Sequence, residues 1–231
     1  MPPSSADPGP TPGATSADPG RTSDAGSAGP GRGALLAAAR AELADHGHAD
    51  ISLRAVARRA GVSHAAPKYH FRDRAGLLSA VAAEGFDGLT ERLRRAVATA
   101  TEMPMTALGK AYIDYGLEHR ALFDLMFRPS ELRTDDSELA RAQAGAFGVL
   151  AETVAASAEP AASPEAVSEL ALTSWGLVHG LVTLARDGAL ANASGTTDPA
   201  AAAELTHHLA DAFTRRVFAP AMTHHPEPTQ T

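Results

Sequence analysis

The sequence predicts an all-α protein with a small N-terminal helical domain and a larger helical bundle. Apolar residues recur at the helical spacing of three and four along most of the chain, and no strand-like alternation extends over a useful length. Proline, glycine and asparagine mark the turns between these segments. With 231 residues, 44% of them hydrophobic, the chain is long enough to build both parts around buried cores.

Most of the predicted helices of the bundle begin or end at a proline. A short apolar helix around Phe123 is predicted to end before Pro129, because proline cannot continue a helix. The longer helices are predicted over about Arg74 to Ala98, from Pro104 past Leu117, over about Asp136 to Ala156, from about Pro164 to Arg186 and from about Pro199 to Phe218.

The two ends of the chain are predicted to be disordered, over residues 1–31 and 221–231. The first segment holds seven prolines and six glycines and almost no bulky apolar residue. It therefore cannot bury enough surface to offset the entropy lost on ordering. Between the two ends we expect a small helical domain at 32–77 and a bundle domain at 78–220.

Residues 51–74 concentrate positive charge in an acidic chain. The segment has six basic residues and one acidic residue, a net charge of +5, while the whole chain carries −7. Nonspecific binding to nucleic acid is largely neutralisation of phosphates by lysine and arginine, so this segment indicates where a polyanion would dock. Charge alone leaves open an ordinary α-hairpin with a solvated basic face.

The same segment has the start and stop signals of two short helices joined by a turn. Ser52 precedes an apolar stripe at helical spacing and is predicted to cap the first helix. Gly61 is predicted to end that helix, because glycine adopts the positive φ that reverses the chain. Ser63 is predicted to cap a second helix that reaches about His70. This is the order of a helix-turn-helix unit, whose second helix enters the major groove of DNA.

The string GVSHAAPKYHFRDRAGLL, residues 61–78, resembles the end of the DNA-binding domain of TetR/AcrR transcriptional regulators. The shared features are the G-V-S turn, the aromatic-H-F run at 69–71 and the leucine pair that opens a long helix. Upstream, Leu36, Ala39, Leu43 and Gly47 are similar to the family's first helix. The resemblance implies a three-helix DNA-binding domain, operator DNA as a partner and a helical domain for effector binding and dimerisation.

The resemblance also implies which residues contact DNA. Pro67 falls inside the predicted recognition helix, where its missing N–H should leave that helix short and distorted. Lys68 stands where many family members have an aromatic residue. The predicted DNA-binding residues are Ser52, Arg54, Ser63, His64, Ala65, Lys68, Tyr69, His70 and Arg74.

Trp175, His179 and Gly180 are similar to the W-x-x-x-H-G signature in the C-terminal domain of a subgroup of these regulators. Trp175 and His179 are four residues apart, so they share one face of a helix. A packed aromatic residue and a hydrogen-bonded core histidine are the alternative to direct ligand contact.

Large aromatic and sulfur-bearing side chains stand among many alanines in the bundle, which leaves room for a cavity. A mostly apolar cavity with a few polar groups is the usual form of a small-molecule site, and the family resemblance implies helices packed around one. A filled core is the alternative. The predicted effector pocket consists of Tyr112, Tyr115, Phe123, Met126, Phe127, Phe147, Trp175 and His179.

The helix predicted around residues 167–185 is apolar on nearly every side, which in a soluble protein requires cover on both faces. One face is expected to meet the subunit's own core and the other a partner. The resemblance implies that the last two helices of each subunit pair in a homodimer. The predicted interface residues are Gly176, Gly180, Leu205, Leu209 and Phe213.

Several other functions lack their sequence signals. The chain has no cysteine, which excludes disulfides and thiolate chemistry, and it lacks the common hydrolase, phosphate-loop and zinc-protease motifs. The pairs His207-His208 and His224-His225 point about 100° apart on a helix, which does not favour chelation from one face. No secretion signal or uncharged eighteen-residue apolar run is present. We therefore expect no enzymatic activity, cofactor, metal or membrane partner, and a cytoplasmic location.

These inferences predict a homodimeric transcriptional repressor that a small, largely apolar effector releases from a pseudo-palindromic operator. An α-helical binding or enzymatic domain with an incidental basic hairpin is the alternative. An activator or an architectural DNA binder without an effector is a third possibility. The sequence does not identify the operator, the effector or the regulated genes.

Overall fold

The computed structural model describes residues 30–101, 103–159, 161–196 and 198–218. Within these ranges the chain forms ten α-helices and a 3-10 turn and no strand, so the predicted all-α class is confirmed. The helices are α1 (Pro30–His46), α2 (Leu53–Arg59), α3 (Ala66–Phe71), α4 (Arg74–Ala98), α5 (Pro104–Glu118), α6 (Arg120–Met126), α7 (Ser137–Ser157), α8 (Pro164–Arg186), α9 (Ala189–Ser194) and α10 (Pro199–Phe218), with the 3-10 turn at Pro129–Glu131.

Helices α1, α2 and α3 pack against one another and carry buried residues such as Leu35 and Val56. The Ser52 hydroxyl accepts a hydrogen bond from the Ala55 N–H at 3.1 Å, so Ser52 caps α2 as predicted. Gly61 reverses the chain after α2 with a φ of +66°, which confirms the predicted glycine turn. The predicted disordered ends lie outside the described residues, except that α1 includes positions 30 and 31.

Ser63 does not cap α3, contrary to the prediction. A helix that started directly after Ser63 would need the Pro67 N–H to donate to the Ser63 carbonyl, and proline has no N–H. The Ala66 N–H donates to that carbonyl instead, at 3.0 Å, and α3 begins at Ala66 without a side-chain cap. Pro67 thus lies in the first turn of the helix, where proline is tolerated, and α3 has only six residues.

The link between α3 and α4 is a strained turn at Arg72. Its φ of +63° and ψ of −56° are unusual, and Arg72 is the one non-glycine residue of the described chain with a positive φ. The Asp73 N–H donates to the Phe71 carbonyl at 2.7 Å, which closes a γ-turn of the rare positive-φ form. A Cβ on Gly76 would lie 2.1 Å from the same carbonyl oxygen. Two adjacent backbone constraints therefore set the position of α3 against α4.

Helix α4 joins the first three helices to the bundle. The Asp73 carboxylate caps it by accepting a hydrogen bond from the Gly76 N–H at 2.9 Å. It packs most extensively against α7 and also contacts α1, α5 and α6. The Tyr115 hydroxyl on α5 donates to the Gly85 carbonyl of α4 at 2.7 Å. A Cβ on Gly85 would lie 2.8 Å from the Met126 Sδ, so a side chain at this position would displace Met126, and glycine allows the close approach of α6 to α4.

The predicted bounds of the long helices agree with the structure. Helices α4, α8 and α10 begin and end at the predicted residues, and Pro104 begins α5. Asp136 precedes α7 and caps it by accepting from the Leu139 N–H at 2.9 Å. The 3-10 turn and the short helix α9 were not predicted. Neither has an apolar stripe of its own that the sequence pattern could indicate.

Helix α8 is covered on its core side and leaves an apolar face open. Leu172 and Leu184 are 51% and 46% exposed, and a Cβ on Gly176 or Gly180 would meet no atom within 4 Å. By length and composition, α8 is also the one helix of the described chain that could cross a membrane. A core helix of a soluble protein passes the same test, and the open face is also what a protein interface requires.

We expect Arg72→Gly to raise the free energy of unfolding by about 1 kcal/mol, because glycine adopts a positive φ without a Cβ clash. Urea denaturation followed by circular dichroism measures this change. Arg72→Ala is the matched control, since it removes the same side chain but keeps the Cβ, and it should give no gain. Equal stability of the glycine and alanine variants would contradict the strain at this turn.

Candidate functional site

Helix α3 and the cap of α2 present exposed polar and basic side chains. Seven of the nine predicted DNA-binding residues are exposed, namely Ser52, Arg54, Ser63, His64, Ala65, Lys68 and Tyr69. Tyr69 is 87% exposed, so its ring is available for contact outside the subunit. His70 is half-buried, with its ring 5.2 Å from that of Tyr69. This surface carries the hydroxyl, imidazole and ammonium groups that contact phosphates and base edges.

Arg74 was predicted to contact DNA, but in the structure its guanidinium is bound within the subunit. Its Nε donates to the Ile51 carbonyl at 3.0 Å, and one terminal nitrogen donates to the His48 carbonyl. The other terminal nitrogen binds the Glu131 carboxylate at 2.6 Å, and this hydrogen bond lowers the pKa of Glu131. All three guanidinium nitrogens are thus engaged within the subunit. These partners lie far away along the chain, so the local sequence pattern could not indicate them.

Residues 129–133, which we call the bracket segment, also hold the start of α4. The Arg133 guanidinium binds the Asp73 carboxylate, with its shortest contact at 2.6 Å, and the Arg133 N–H donates to the Ser79 hydroxyl at 2.8 Å. The hydrogen bonds from Arg133 and from the Gly76 N–H lower the pKa of Asp73 to about 2. Asp73 therefore remains an ionised cap of α4 at neutral pH.

The bundle contains a cavity of about 440 Å³ between α4, α5, α6, α7 and α8, a size typical of small-molecule sites. Its exposed lining residues are Pro129, Gln143 and Phe147, so the cavity opens between the 3-10 turn and α7. The lining residues are Phe86, Leu89, Leu93, Leu108, Tyr112, Met126, Phe127, Pro129, Gln143, Ala146, Phe147, Leu150, Trp175, Val178 and His179.

Two of the eight predicted pocket residues do not line this cavity. Tyr115 directs its hydroxyl to the Gly85 carbonyl on α4, and the Phe123 ring is buried and stacks on His179 at 5.4 Å. The other six line it, and Gln143 is a polar lining residue that the sequence analysis missed. Helical spacing indicates that a side chain is buried, but it does not tell which neighbouring helix the side chain meets.

Three polar side chains form a hydrogen-bonded cluster in the cavity wall. The Trp175 Nε1–H donates to the Tyr112 hydroxyl oxygen at 3.1 Å, and this hydroxyl is 2.9 Å from the His179 Nδ1. Trp175 and His179 are hydrogen-bonded to a core residue, as the packed-core alternative predicts, and both also line the cavity, so direct ligand contact stays a prediction. Burial raises the pKa of Tyr112, and it lowers the pKa of His179, with a smaller effect of the Arg186 charge. The cluster is therefore uncharged at neutral pH.

The predicted dimer residues lie on the outer side of α8 and α10. Gly176 and Leu209 are exposed, and Gly180 is half-buried. A Cβ built on Gly180 would have no atom within 4 Å. Leu205 and Phe213 are half-buried, and Phe213 packs in part against the core of its own subunit. The exposed apolar residues of both helices continue the row, with Leu172 and Leu184 on α8 and Val217 on α10.

Two family models match the chain. Residues 35–81 match the model for bacterial regulatory proteins of the tetR family, and residues 105–213 match the tetracyclin repressor-like C-terminal domain. The first match covers the helix-turn-helix unit, and the second covers most of the cavity and the open face of α8. No curated protein matches the chain significantly.

Solved structures agree with these matches. A protein of unknown function from Rhodococcus sp. RHA1 is 35% identical over 85% of this chain and 100% of its own, with a TM-score of 0.66. A TetR-family regulator from Pectobacterium atrosepticum (20% identity, 82% and 94% coverage, TM-score 0.61) shares the fold, as does LfrR from Mycobacterium smegmatis in complex with proflavine (21% identity, 79% and 95% coverage, TM-score 0.53). With its helix-turn-helix domain and its helical C-terminal domain, the chain belongs to the TetR family of transcriptional regulators, which are non-enzymatic DNA-binding proteins.

Proposed function

We propose that this regulator is a cytoplasmic, homodimeric repressor that a small, largely apolar effector releases from its operator. The observation that carries this proposal is the bracket segment. It borders the cavity at Pro129. Through Glu131 and Arg133 it also holds the start of α4, the helix that follows α3. A molecule in the cavity and the position of α3 are thus linked by contacts within one short segment.

In this proposal, two copies of α3 occupy successive major grooves roughly 34 Å apart on a pseudo-palindromic operator. Ser63, His64 and Ala65 face base edges at the start of the helix, while Lys68 and Tyr69 contact the phosphate backbone. The exposed Ser52 and Arg54 contact the backbone at the start of α2. Their exposure supports these roles.

The second subunit covers the open face of α8 and α10. Apolar side chains such as Leu184 lose contact with water when the same face of a second copy packs on them. Gly176 and Gly180 let the two backbones approach closely, because neither position has a side chain in the way. A two-fold pair of this kind also supplies the two recognition helices that a palindromic operator needs.

The effector acts by favouring a subunit arrangement that does not fit the operator. Phe127 and Pro129 line the cavity, so an occupant that displaces them also moves Glu131 and Arg133. These two residues hold Arg74 and Asp73, and through them the loop before α2 and the cap of α4. The effector releases DNA only by binding the released state more tightly, and DNA must then weaken effector binding by the same factor. The structure of LfrR in complex with proflavine supports the binding of a small molecule by a protein of this fold.

We expect Lys68→Ala to weaken binding to all duplex sequences and to lower the slope of log affinity against log salt by about one, as for one lost phosphate contact. Fluorescence anisotropy with labelled duplexes at several salt concentrations measures this. Arg94→Ala, an exposed arginine on α4 outside the helix-turn-helix unit, removes the same charge and should leave the slope unchanged. Equal slopes for wild type and Lys68→Ala would exclude the phosphate contact.

We expect Leu184→Glu to convert the dimer to a folded monomer, because the variant places an uncompensated charge in the apolar interface. Leu184 is 46% exposed in the subunit, so the change should not unfold it. Sedimentation velocity measures the mass and circular dichroism the helix content. Tyr69→Glu, at an exposed apolar side chain on α3, is the control and should remain dimeric. A dimeric Leu184→Glu variant would remove this face from the interface.

We expect Glu131→Gln to reduce the coupling between effector and operator by roughly threefold, within the range for residues that modulate coupling. Neutral hydrophobic compounds that change the emission of Trp175, the one tryptophan of the chain, are titrated into free and operator-bound protein. The ratio of the two affinities measures the coupling. Glu118→Gln breaks a similar ion pair, with Arg92, away from the cavity and should leave the ratio unchanged. If every such compound binds both forms equally, the repressor is not released by an effector at this site.

A further inference from the structure

The hydrogen bonds of the Tyr112, Trp175 and His179 cluster determine which proton the cavity wall can offer. An indole Nε1–H only donates, so the Tyr112 oxygen accepts from Trp175. Tyr112 is buried, and its own proton needs an acceptor, because an unpaired buried hydroxyl is costly. Among the described residues, the acceptor within reach is the His179 Nδ1 at 2.9 Å. The Tyr112 hydroxyl therefore donates to Nδ1.

This arrangement assigns the tautomer of His179. A neutral imidazole that accepts at Nδ1 carries its proton at Nε2. The opposite tautomer would donate from Nδ1 to Tyr112 and leave the buried Tyr112 proton without an acceptor in the described part of the chain. Within that part, no hydrogen bond from the His179 Nε2–H is found, although every other proton of the cluster is used. One N–H donor of a cavity-lining side chain is thus left over.

The rest of the lining has no charge. The wall contains no aspartate, glutamate, lysine or arginine, and its remaining polar residue is Gln143 at the exposed mouth. Arg186, the nearby cation that affects His179, does not line the cavity. It binds the Asp124 carboxylate at 2.7 Å and the Arg120 carbonyl at 2.8 Å. An ion in this cavity would lose its hydration without gaining a counter-charge, which is strongly unfavourable.

We propose that the effector is an uncharged, largely apolar molecule with a hydrogen-bond acceptor, such as a carbonyl oxygen, that binds the His179 Nε2–H. This inference deepens the proposed function and rests on it, because it assumes that the cavity is the effector site. Apolar walls from five helices supply most of the affinity, and His179 selects for the acceptor. The Phe123 and Phe127 rings, 5.4 Å and 4.5 Å from the His179 ring, hold the imidazole in place from two sides.

Four probes of one shape test the inference. They are 4-phenylcyclohexanone, the hydrocarbon phenylcyclohexane, the anion 4-phenylcyclohexanecarboxylate and the cation 4-phenylcyclohexylammonium. Binding to the full-length dimer is measured by calorimetry and by Trp175 emission. We expect the ketone to bind about fivefold more tightly than the hydrocarbon, as for one net hydrogen bond. Both ions should bind at least about tenfold more weakly than the hydrocarbon.

His179→Phe removes the donor and keeps an aromatic ring in the same stack. The ratio of ketone to hydrocarbon affinity should then fall about fivefold, to the value expected without a hydrogen bond. His119→Phe replaces a histidine outside the cavity lining, whose ring packs at a tilt against Tyr115, and should leave the ratio unchanged. If His179→Phe does not fold, Tyr112→Phe provides the second test. This variant removes the hydroxyl that fixes the tautomer of His179. The ratio of ketone to hydrocarbon affinity should then decline by at least about twofold, on the scale of one net hydrogen bond.

The outcomes separate this inference from the proposed function. If the hydrocarbon and the ketone bind equally, or if an ion binds most tightly, the cavity remains an effector site and the neutral-acceptor inference is overturned. A ratio that survives both His179→Phe and Tyr112→Phe overturns it as well. If none of the four probes binds at its solubility limit, the cavity is not an effector site, and the proposed function fails together with the inference.

Discussion

The arrangement of the whole subunit depends on the hydrogen bonds of Arg74. This guanidinium joins the two carbonyls of the loop before α2 to the Glu131 carboxylate at the end of the 3-10 turn. Burying half of a guanidinium without such partners would cost free energy. The bonds of Arg74 therefore stabilise the contact between the start of α4, the loop before α2 and the 3-10 turn. Together with the packing of α1 on α4 and α6, these bonds give the first three helices a defined orientation on the bundle. An arginine suits this position because its planar fork presents several donors in fixed directions.

The bracket segment connects the hydrogen bonds of Arg74 to the cavity. Asp73 is both the cap of α4 and the partner of Arg133, so the same carboxylate ends the strained turn and anchors the segment beyond α6. The strain at Arg72 is retained because hydrogen bonds on both sides over-determine the backbone. In the proposed mechanism this joint is stiff, so that small displacements at Pro129 reach α3 and are not absorbed in a loose linker. Packed interfaces of this sort switch between discrete arrangements and do not deform smoothly.

The cavity exists because large and small residues alternate around α4. Phe86 and Leu89 line it from that helix, while Ala146 faces them from α7 and leaves space. The glycine at Gly85 draws α6 close at one end. The polar cluster then uses nearly all of its hydrogen-bonding capacity internally, which lets Tyr112, Trp175 and His179 remain in an apolar wall without a large desolvation cost. In the proposed mode of binding, a ligand bonds to the imidazole proton that the cluster does not use.

The amino-acid sequence by itself determined the helical class, the ends of the long helices and the helix-turn-helix unit. These follow from apolar spacing, from prolines at helix starts such as Pro104 and Pro164, and from local caps such as Ser52 and Asp136, all of which act over a few residues. Most pocket residues were also predictable, because large side chains on amphipathic helices turn inward. The tertiary structure alone decided the roles of Arg74, Tyr115 and Gln143, which depend on partners that are distant in the sequence. Pro67 lies between what the sequence determined and what the structure decided. Its missing N–H acts locally, and yet it shifted the start of α3 away from the predicted Ser63 cap.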